Sequence, residues 1–245
     1  MTYYNQRDYG RVAYPSSAYP SATVASSGCG PCCMSMVVEN LGAGAFPPPA
    51  SAAFALSVGA RASSGTNMEV LGRAAAAKFG LLFTRTSDAG EAEAAVKSGK
   101  IAIVNVKGNT TGHKGLFSDG GHYVVLAAIE GNTAVVLDPY LYPGKFDKTG
   151  RKGKVSLKGN EARCALADLE ADAKGYYVFG KKVNQTADIK ESSVKVCGVS
   201  VPSLLRDGRN YVELRPMIDA INRGIAFMVE WDAREGACVK AGEDA

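Results

Sequence analysis

The chain has 245 residues, of which 46% are hydrophobic and 21% charged, and its net charge is +4. These values are ordinary for a globular protein with room for one large domain, or for one domain and a small appendage. The small net charge does not indicate a nucleic-acid partner, and no run approaches the roughly 18 apolar residues of a membrane span. The first residues lack a basic segment followed by an apolar core, so no signal peptide is predicted in this chain.

The first half of the chain is predicted to be mainly helical. Residues 1–28 are rich in Tyr, Ser, Ala and Pro, which predicts an irregular segment at the start of the chain. Residues 42–51 predict a loop that opens a short helix at Ala50. The spacing of Thr66 and Glu69 is that of a capping box, which marks the start of a helix. Helical patterns cover three stretches, about 30–41, 67–79 and 88–98.

After Gly99, β-rich runs replace the helical patterns. The turn between the second and third of these runs falls at Gly131 and Asn132. Because helices come first and strands follow, the sequence predicts an α+β fold and not alternating βαβ units. The last run is expected to close the sheet. The four runs are 101–106, 123–129, 134–137 and 176–179.

The end of the chain is predicted to form a second, smaller domain. The first domain covers residues 1–180, and residues 181–192 are polar and uneven, as in a linker. Residues 193–245 then form a compact unit. Its predicted elements are strands near 194–197, 211–212 and 227–231 and a helix over about 213–223.

A cluster of basic residues lies between the third and fourth strand runs. We interpret the stretch, which contains several glycines, as a solvated loop, and contact with an anionic wall polymer is the alternative. The residues are Lys145, Lys148, Arg151, Lys152, Lys154 and Lys158.

The chain has six cysteines and two histidines. Cys29, Cys32 and Cys33 fall so close together that a disulfide framework is not favoured in a chain of this length. No second cysteine pair follows at zinc-ligand spacing, and only His113 and His122 could add imidazole ligands. We therefore predict neither a metal site nor a cofactor.

Residues 27–33 read Ser-Gly-Cys-Gly-Pro-Cys-Cys and run straight into the first helical pattern. A cysteine in the first turn of a helix lies near free backbone N–H groups and the positive end of the helix dipole, which stabilises the thiolate. Two kinds of chemistry fit this segment. Cys29 alone fits the nucleophile of a cysteine hydrolase, whereas Cys29 and Cys32 together fit a thiol–disulfide redox pair.

His122 and Asp138 are placed to become neighbours. His122 starts one predicted strand, and Asp138 ends the next strand of the same hairpin. A carboxylate next to a histidine orients the ring and stabilises its imidazolium form. A histidine held in this way would take the proton from Cys29.

These residues, in this order, resemble the papain-like cysteine peptidases, in the branch related to the bacteriocin leader peptidases. The resemblance covers about residues 4–180. It implies a papain-like fold in which Cys29 is the nucleophile, His122 the general base and acid, and Asp138 the orienting residue. It also implies that Gln6 donates its amide N–H to the oxyanion, beside the backbone N–H of Cys29. The matching stretches are residues 5–9, 26–31, 121–126 and 137–140, with Met34 and Met36 on the helix.

The chain departs from that family at Cys32 and Cys33, where relatives usually carry a small hydroxyl residue or another ordinary side chain. Papain itself places its nucleophile at the second cysteine of a Cys-Gly-x-Cys run, so Cys32 is a rival nucleophile. The favoured expectation is that both cysteines are buried as small apolar residues.

Residues 201–220 and 229–232 resemble the small stalk domain named after the N-terminal region of copper amine oxidases. Such domains recur in bacterial cell-surface proteins and phage lysins, where they act as attachment or spacer modules. No copper is implied, because residues 190–245 contain no histidine. The alternative is a plain packing module with Tyr211, Leu214 and Trp231 in its core.

Taken together, the sequence predicts a cysteine peptidase or amidase with a C-terminal attachment module. The favoured substrate is peptide, with peptidoglycan at the bacterial cell wall or outside the cell as the specific expectation, and residues 193–245 would bind a wall polymer. The first alternative is a thioredoxin-like oxidoreductase that uses Cys29 and Cys32. A redox motif of this kind normally follows a buried strand, and residues 19–28 do not have the sequence of one. An oxidoreductase would also give His122 and Asp138 no role. A non-catalytic surface adaptor is the second alternative.

Overall fold

A computed structural model describes residues 1–182 in full. Beyond them it describes the backbone of residues 190–196, 199–206, 209–212, 227–232 and 236–241. The chain divides into two compact units, Met1–Lys182 and Val183–Ala245.

The first unit begins with the 3-10 helix Gln6–Tyr9, and six α-helices follow along its chain. They are α1 (Val24–Ser27), α2 (Cys29–Asn40), α3 (Pro48–Ser57), α4 (Met68–Phe79), α5 (Ala89–Lys97) and α6 (Leu166–Asp172). Among the described residues, no helix is long and apolar enough to cross a membrane.

Two short strands, β1 (Arg61–Ala62) and β2 (Gly65–Thr66), form a small hairpin of their own. The main sheet has seven strands, in the order β3-β9-β4-β5-β6-β8-β7, and every neighbouring pair is antiparallel. Its strands are β3 (Leu81–Thr86), β4 (Ile101–Val106), β5 (His122–Glu130), β6 (Thr133–Leu137), β7 (Val155–Lys158), β8 (Glu161–Ala165) and β9 (Ala173–Lys181).

Both faces of the main sheet are covered, which explains why strand β4 is apolar at every position except Asn105. Ile101 and Ile103 belong to the core that α2, α3 and α4 form on one face. Ala102, Val104 and Val106 belong to a second core, which includes residues of α5 and α6, on the other face. A strand buried on both faces loses the alternation of apolar and polar residues and reads as a continuous apolar run.

The predicted α+β class is confirmed: helices pack on a large antiparallel sheet. Three details of the prediction were wrong. Helix α3 begins at Pro48 and not at Ala50, since proline is accepted in the first turn. The cap of α4 is Asn67, whose side chain accepts from the Val70 N–H, and not Thr66. Strand β9 lies between β3 and β4, so it does not close the sheet at an edge.

The second unit contains an antiparallel three-stranded sheet and a separate hairpin. Strand β9 runs through Lys181, and β10 begins at Lys190. The predicted helix over about 213–223 and residues 183–189 of the predicted linker lie outside the described residues. The strands are β10 (Lys190–Val196), β11 (Val199–Arg206) and β12 (Arg209–Val212) in the sheet, and β13 (Phe227–Asp232) and β14 (Gly236–Ala241) in the hairpin.

Gly30 is expected to be indispensable for the position of the first turn of α2. A Cβ built there would lie 2.6 Å from the Cβ of buried Thr66, so Gly30→Ala forces α2 away from β2. We expect this overpacking to lower the free energy of unfolding by about 1–3 kcal/mol in urea titrations. Gly10→Ala is the control, because a Cβ at Gly10 meets nothing within 4 Å. Equal stability of the two variants would contradict this account of the packing.

Candidate active site

Cys29 is the first residue of α2, and the local sequence explains why the helix begins there. Gly28 precedes it as the N-cap, with φ −98° and ψ 19°. The Cys32 N–H donates to the Gly28 carbonyl at 3.0 Å. The N–H groups of Cys29 and Gly30 have no acceptor within the helix, and Pro31 has no N–H to leave unpaired. Cys29 therefore lies where the helix dipole stabilises a thiolate.

His122 and Asp138 meet at one end of the β5–β6 hairpin. His122 is the first residue of β5, and Asp138 directly follows the last residue of β6. Because Glu130 pairs with Thr133 at the turn, the start of β5 lies beside the end of β6. His122 Nε2 and Asp138 Oδ1 are 2.9 Å apart, and both side chains are buried. The structure thus brings together the two residues that the sequence placed at these strand ends.

The Cys29 thiol interacts with the same imidazole. Because Nε2 of His122 is bonded to Asp138, Nδ1 is the ring nitrogen that remains for the thiol. Burial raises the pKa of Cys29, but the hydrogen bond and charge of His122 outweigh it and bring the pKa below its ordinary value. Burial lowers the pKa of His122, whereas its hydrogen bonds with Asp138 and Cys29 raise it to about 9. The site therefore favours a thiolate facing an imidazolium.

Asp138 is fully buried and each of its oxygens has a partner. Oδ1 also accepts the Tyr140 N–H at 2.9 Å, and Oδ2 forms an ion pair with Lys145. The Asp138 carbonyl oxygen accepts the Tyr3 hydroxyl at 2.8 Å. Burial raises the pKa of Asp138, but the Lys145 charge and the His122 hydrogen bond lower it to about 2. The carboxylate is therefore ionised at neutral pH.

Gln6 is held between the end of the hairpin and α1. Its backbone N–H donates to the Pro139 carbonyl at 2.7 Å, and its side-chain Nε2 donates to the Ala25 carbonyl at 2.8 Å. The amide nitrogen has a second proton, which is the one an oxyanion would use. Gln6 forms no hydrogen bond with Cys29 in the described part of the chain, so its oxyanion role stays a prediction.

Cys32 and Cys33 lie one turn further along α2, and both are fully buried in the core. Burial raises the pKa of each thiol, and the charge of Cys29 raises it further. The Cys33 Sγ donates to the Tyr123 carbonyl at 3.3 Å. These two thiols therefore have neither the exposure nor the low pKa of a nucleophile.

The basic stretch after Asp138 is not the solvated loop that the sequence predicted. Lys145 and Arg151 are each only 2% exposed. Arg151 donates to the Asp119 carboxylate at 2.6 Å, and exposed Lys148 reaches the same carboxylate at 2.7 Å. The prediction was wrong for Arg151 because its counter-charge, Asp119, comes from a segment that the sequence does not place beside it. It was wrong for Lys145 because the loop after Asp138 folds back onto that carboxylate.

Sequence reasoning missed Lys145 as a member of this site. Lys145 belongs to a stretch rich in lysine, and lysines in such stretches are usually exposed to solvent. A weak signal was available, since Lys145 stands between a Tyr-Pro-Gly turn and Phe146 and lies only seven residues beyond Asp138. Aromatic flanks of this kind are unusual for a fully solvated lysine.

The second histidine is engaged elsewhere. His113 Nε2 lies 2.8 Å from the Oδ1 of Asp172, a buried residue at the end of α6. Within the described residues, no cluster of three or more His, Cys, Asp or Glu side chains is suited to a metal ion.

Comparisons with solved structures give distant likenesses, two of which are peptidase domains. The peptidase domain of ComA from Streptococcus, a bifunctional ABC transporter involved in quorum sensing, is 14% identical with a TM-score of 0.41, over 63% of this chain and 91% of that one. A double-glycine-motif protease from an AMS/PCAT transporter, solved with its leader peptide, is 16% identical with a TM-score of 0.41, over 63% and 84%. No family model matches the chain, and no curated protein matches it. The function therefore has to be inferred from the site itself.

The ionisation of Cys29 gives a direct test of this geometry. We expect iodoacetamide to modify Cys29 with a midpoint well below the free-thiol pKa of about 8.5, because the imidazolium of His122 stabilises the thiolate. In His122→Gln that stabilisation is lost while burial remains, so the midpoint is expected to rise above 8.5. Cys29, Cys32 and Cys33 lie on one peptide, so fragmentation of that peptide in the mass spectrometer assigns the modification to Cys29. The same midpoint in both proteins would contradict the pairing.

Proposed function

We propose that this protein is a cysteine peptidase or amidase of the papain-like type, in which Cys29, His122 and Asp138 form a catalytic triad. The observation that supports it best is the bond between His122 and Asp138 beside a cysteine at the start of a helix. Nucleophilic acyl transfer needs an activated thiol, an imidazole that moves the proton, and a carboxylate that orients the imidazole.

In the first half of the proposed reaction, the Cys29 thiolate attacks the carbonyl carbon of the scissile bond. The negative charge moves to the carbonyl oxygen, where the backbone N–H of Cys29 and the free N–H of the Gln6 amide would stabilise it. His122 then gives its Nδ1 proton to the leaving amine as the C–N bond breaks. An acyl group remains on the sulfur.

In the second half, water replaces the departed amine. The neutral imidazole of His122 takes a proton from this water, whose oxygen attacks the thioester carbonyl. When the C–S bond breaks, the acid product leaves and Cys29 is again a thiolate beside an imidazolium. Asp138 keeps Nε2 of the ring occupied throughout, so that Nδ1 always faces the sulfur.

The thioredoxin-like alternative has less support. The segment before Cys29 is helix α1 and not the strand that a redox Cys-x-x-Cys normally follows. A thioredoxin-like mechanism also gives the buried His122–Asp138 pair no function.

Single substitutions in the triad test the assignment. Cys29→Ala is expected to abolish hydrolysis of a peptide substrate, because no other described thiol can replace the nucleophile. His122→Ala is expected to be about as damaging, since residues that act as one unit are not additive. Asp138→Asn is expected to be milder, as the imidazole remains. Initial rates measured with matched far-ultraviolet circular dichroism would separate lost chemistry from lost fold.

Cys32→Ser is the matched control for these variants. It is expected to leave peptide hydrolysis nearly unchanged, whereas it would destroy disulfide turnover in an oxidoreductase, which needs both sulfurs. Full hydrolysis by Cys29→Ala, together with an inactive Cys32→Ser, would reassign the nucleophile. Reduction of insulin that depends on Cys32 would instead favour the oxidoreductase.

For the substrate, we propose the peptides of bacterial peptidoglycan. This part rests on the resemblance of residues 201–220 to stalk modules of surface proteins and lysins, and it assigns to residues 193–245 the binding of a wall polymer. Such attachment raises the local concentration of a weakly binding catalytic domain on an insoluble substrate. A non-catalytic adaptor would bind walls without releasing fragments.

Truncation at the boundary between the two units tests the attachment role. A chain of residues 1–182 is expected to cleave soluble peptides at nearly the full-length rate, because the proposed catalytic residues all lie in the first unit. On purified cell walls it is expected to be slower than the full chain, as measured by mass spectrometry of the released fragments. Equal rates on walls would mean that the second unit is a spacer, and the peptidoglycan proposal would lose its support.

A further inference from the structure

Lys145 is a buried charge whose partners all belong to the neighbourhood of the catalytic carboxylate. Its ammonium pairs with Asp138 Oδ2 and donates to the Tyr140 carbonyl at 2.9 Å. The aromatic rings of Tyr140 and Phe146 lie 5.6 and 5.7 Å from the ammonium and favour its charge. The side chain is only 2% exposed, so this charge acts on its neighbours with little screening by water.

The ion pair occupies the second oxygen of the Asp138 carboxylate. Oδ1 is used by the His122 ring and the Tyr140 N–H, whereas Lys145 is the hydrogen-bond partner of Oδ2. Without Lys145, Oδ2 would be a buried charged atom with no partner in the described structure, while Oδ1 would keep its two hydrogen bonds.

The same loop holds the N-terminal segment that carries Gln6. The Gln6 N–H donates to the Pro139 carbonyl, and Asn5 Nδ2 donates to the Leu141 carbonyl at 2.8 Å. Because Lys145 binds the Tyr140 carbonyl between these two acceptors, it ties the Asp138 side chain to the loop on which residues 5 and 6 rest. One side chain thus fixes two parts of the site.

We propose that Lys145 is a positioning residue of the site: it pairs with Oδ2 of Asp138 and offsets part of the carboxylate's negative charge, so that the Cys29–His122 ion pair exists over a lower pH range than it would without the lysine. This inference rests on the proposed function, since it concerns the same triad.

The charges around the Cys29–His122 pair determine the direction in which the two pKa values change when Lys145 is removed. The charge of Lys145 attracts the Cys29 thiolate and weakens the hold of Asp138 on the imidazolium, so its removal raises the pKa of both Cys29 and His122. Other titratable groups face this cluster from every side: Cys32 and Cys33 on α2, Tyr3 and Tyr14 in the segment before α1, and Tyr123 on β5. Arg151 adds a further positive charge near Lys145.

Lys145→Met removes the charge and keeps most of the length, and Lys148→Met is the control, since Lys148 lies in the same stretch but is exposed. The lower limit of the pH range is the pKa of Cys29, and the upper limit is the pKa of His122. We expect both limits to rise by about one unit in Lys145→Met. Below the lower limit, iodoacetamide would then modify Cys29 roughly tenfold more slowly. The upper limit is read from the histidine ring protons by NMR, where the chain's only other histidine is identified with His113→Gln. Lys148→Met is expected to leave both limits unchanged, and Lys145→Arg to restore them toward the wild-type values.

Unchanged limits in folded Lys145→Met would overturn the proposal. If this variant does not fold, the wild-type chain decides through NMR of ¹⁵N-labelled lysine ammonium groups, with the Lys145 signal identified by its loss in Lys145→Arg. The proposal expects this signal to shift as His122 titrates, and an unresponsive signal would overturn it. A wild-type Cys29 midpoint at or above 8.5 would remove the proposed function itself, whereas a low midpoint unaffected by Lys145 would remove only this inference.

Discussion

The arrangement of this site depends on one buried carboxylate. Asp138 has no exposed surface, and an ionised carboxylate in such a place is stable only when it is paired and hydrogen-bonded. The partners of the carboxylate are His122 from the sheet, and the Tyr140 N–H and Lys145 from the loop beyond. The Tyr3 hydroxyl, from the N-terminal segment, donates to the backbone carbonyl of the same residue. Asp138 therefore joins the sheet, the loop after it and the start of the chain.

The pKa values of the cluster link this arrangement to pH. Asp138 has a pKa lowered to about 2, so the stability it contributes is complete above the ordinary carboxyl pKa and is lost as the pH falls toward 2. The pKa of Cys29 is lowered and that of His122 is raised, so the two shifts have opposite effects on the pH dependence of stability. Near neutral pH the unfolded chain holds one proton on sulfur and the folded chain holds one on the imidazole. Since the number of bound protons is equal, forming the pair adds almost no pH dependence to stability there.

The sequence allowed the α+β class and the His122–Asp138 pair to be predicted, because local patterns carry both. Strand β4 is apolar at every position except Asn105 since both of its faces are buried, and the short turn of the β5–β6 hairpin brings His122 and Asp138 together. Strand β3 was missed because only Leu81 in it is buried, which leaves little periodicity. Lys145 was misread for a different reason. Its counter-charge, Asp138, lies only seven residues away, but neither charge nor hydropathy indicates that the loop between them folds back and buries the pair.

Trapping an acyl intermediate tests most directly whether Cys29 is the nucleophile. The chain is mixed with an N-acylated amino-acid p-nitrophenyl ester, quenched with acid within milliseconds, and digested for mass spectrometry. If Cys29 attacks the ester, we expect a burst of p-nitrophenol and an acyl group on the peptide that carries Cys29, located on that sulfur by fragmentation. Ester turnover with the acyl group on Cys32 or Cys33, or with none on Cys29 at any quench time, would contradict this assignment.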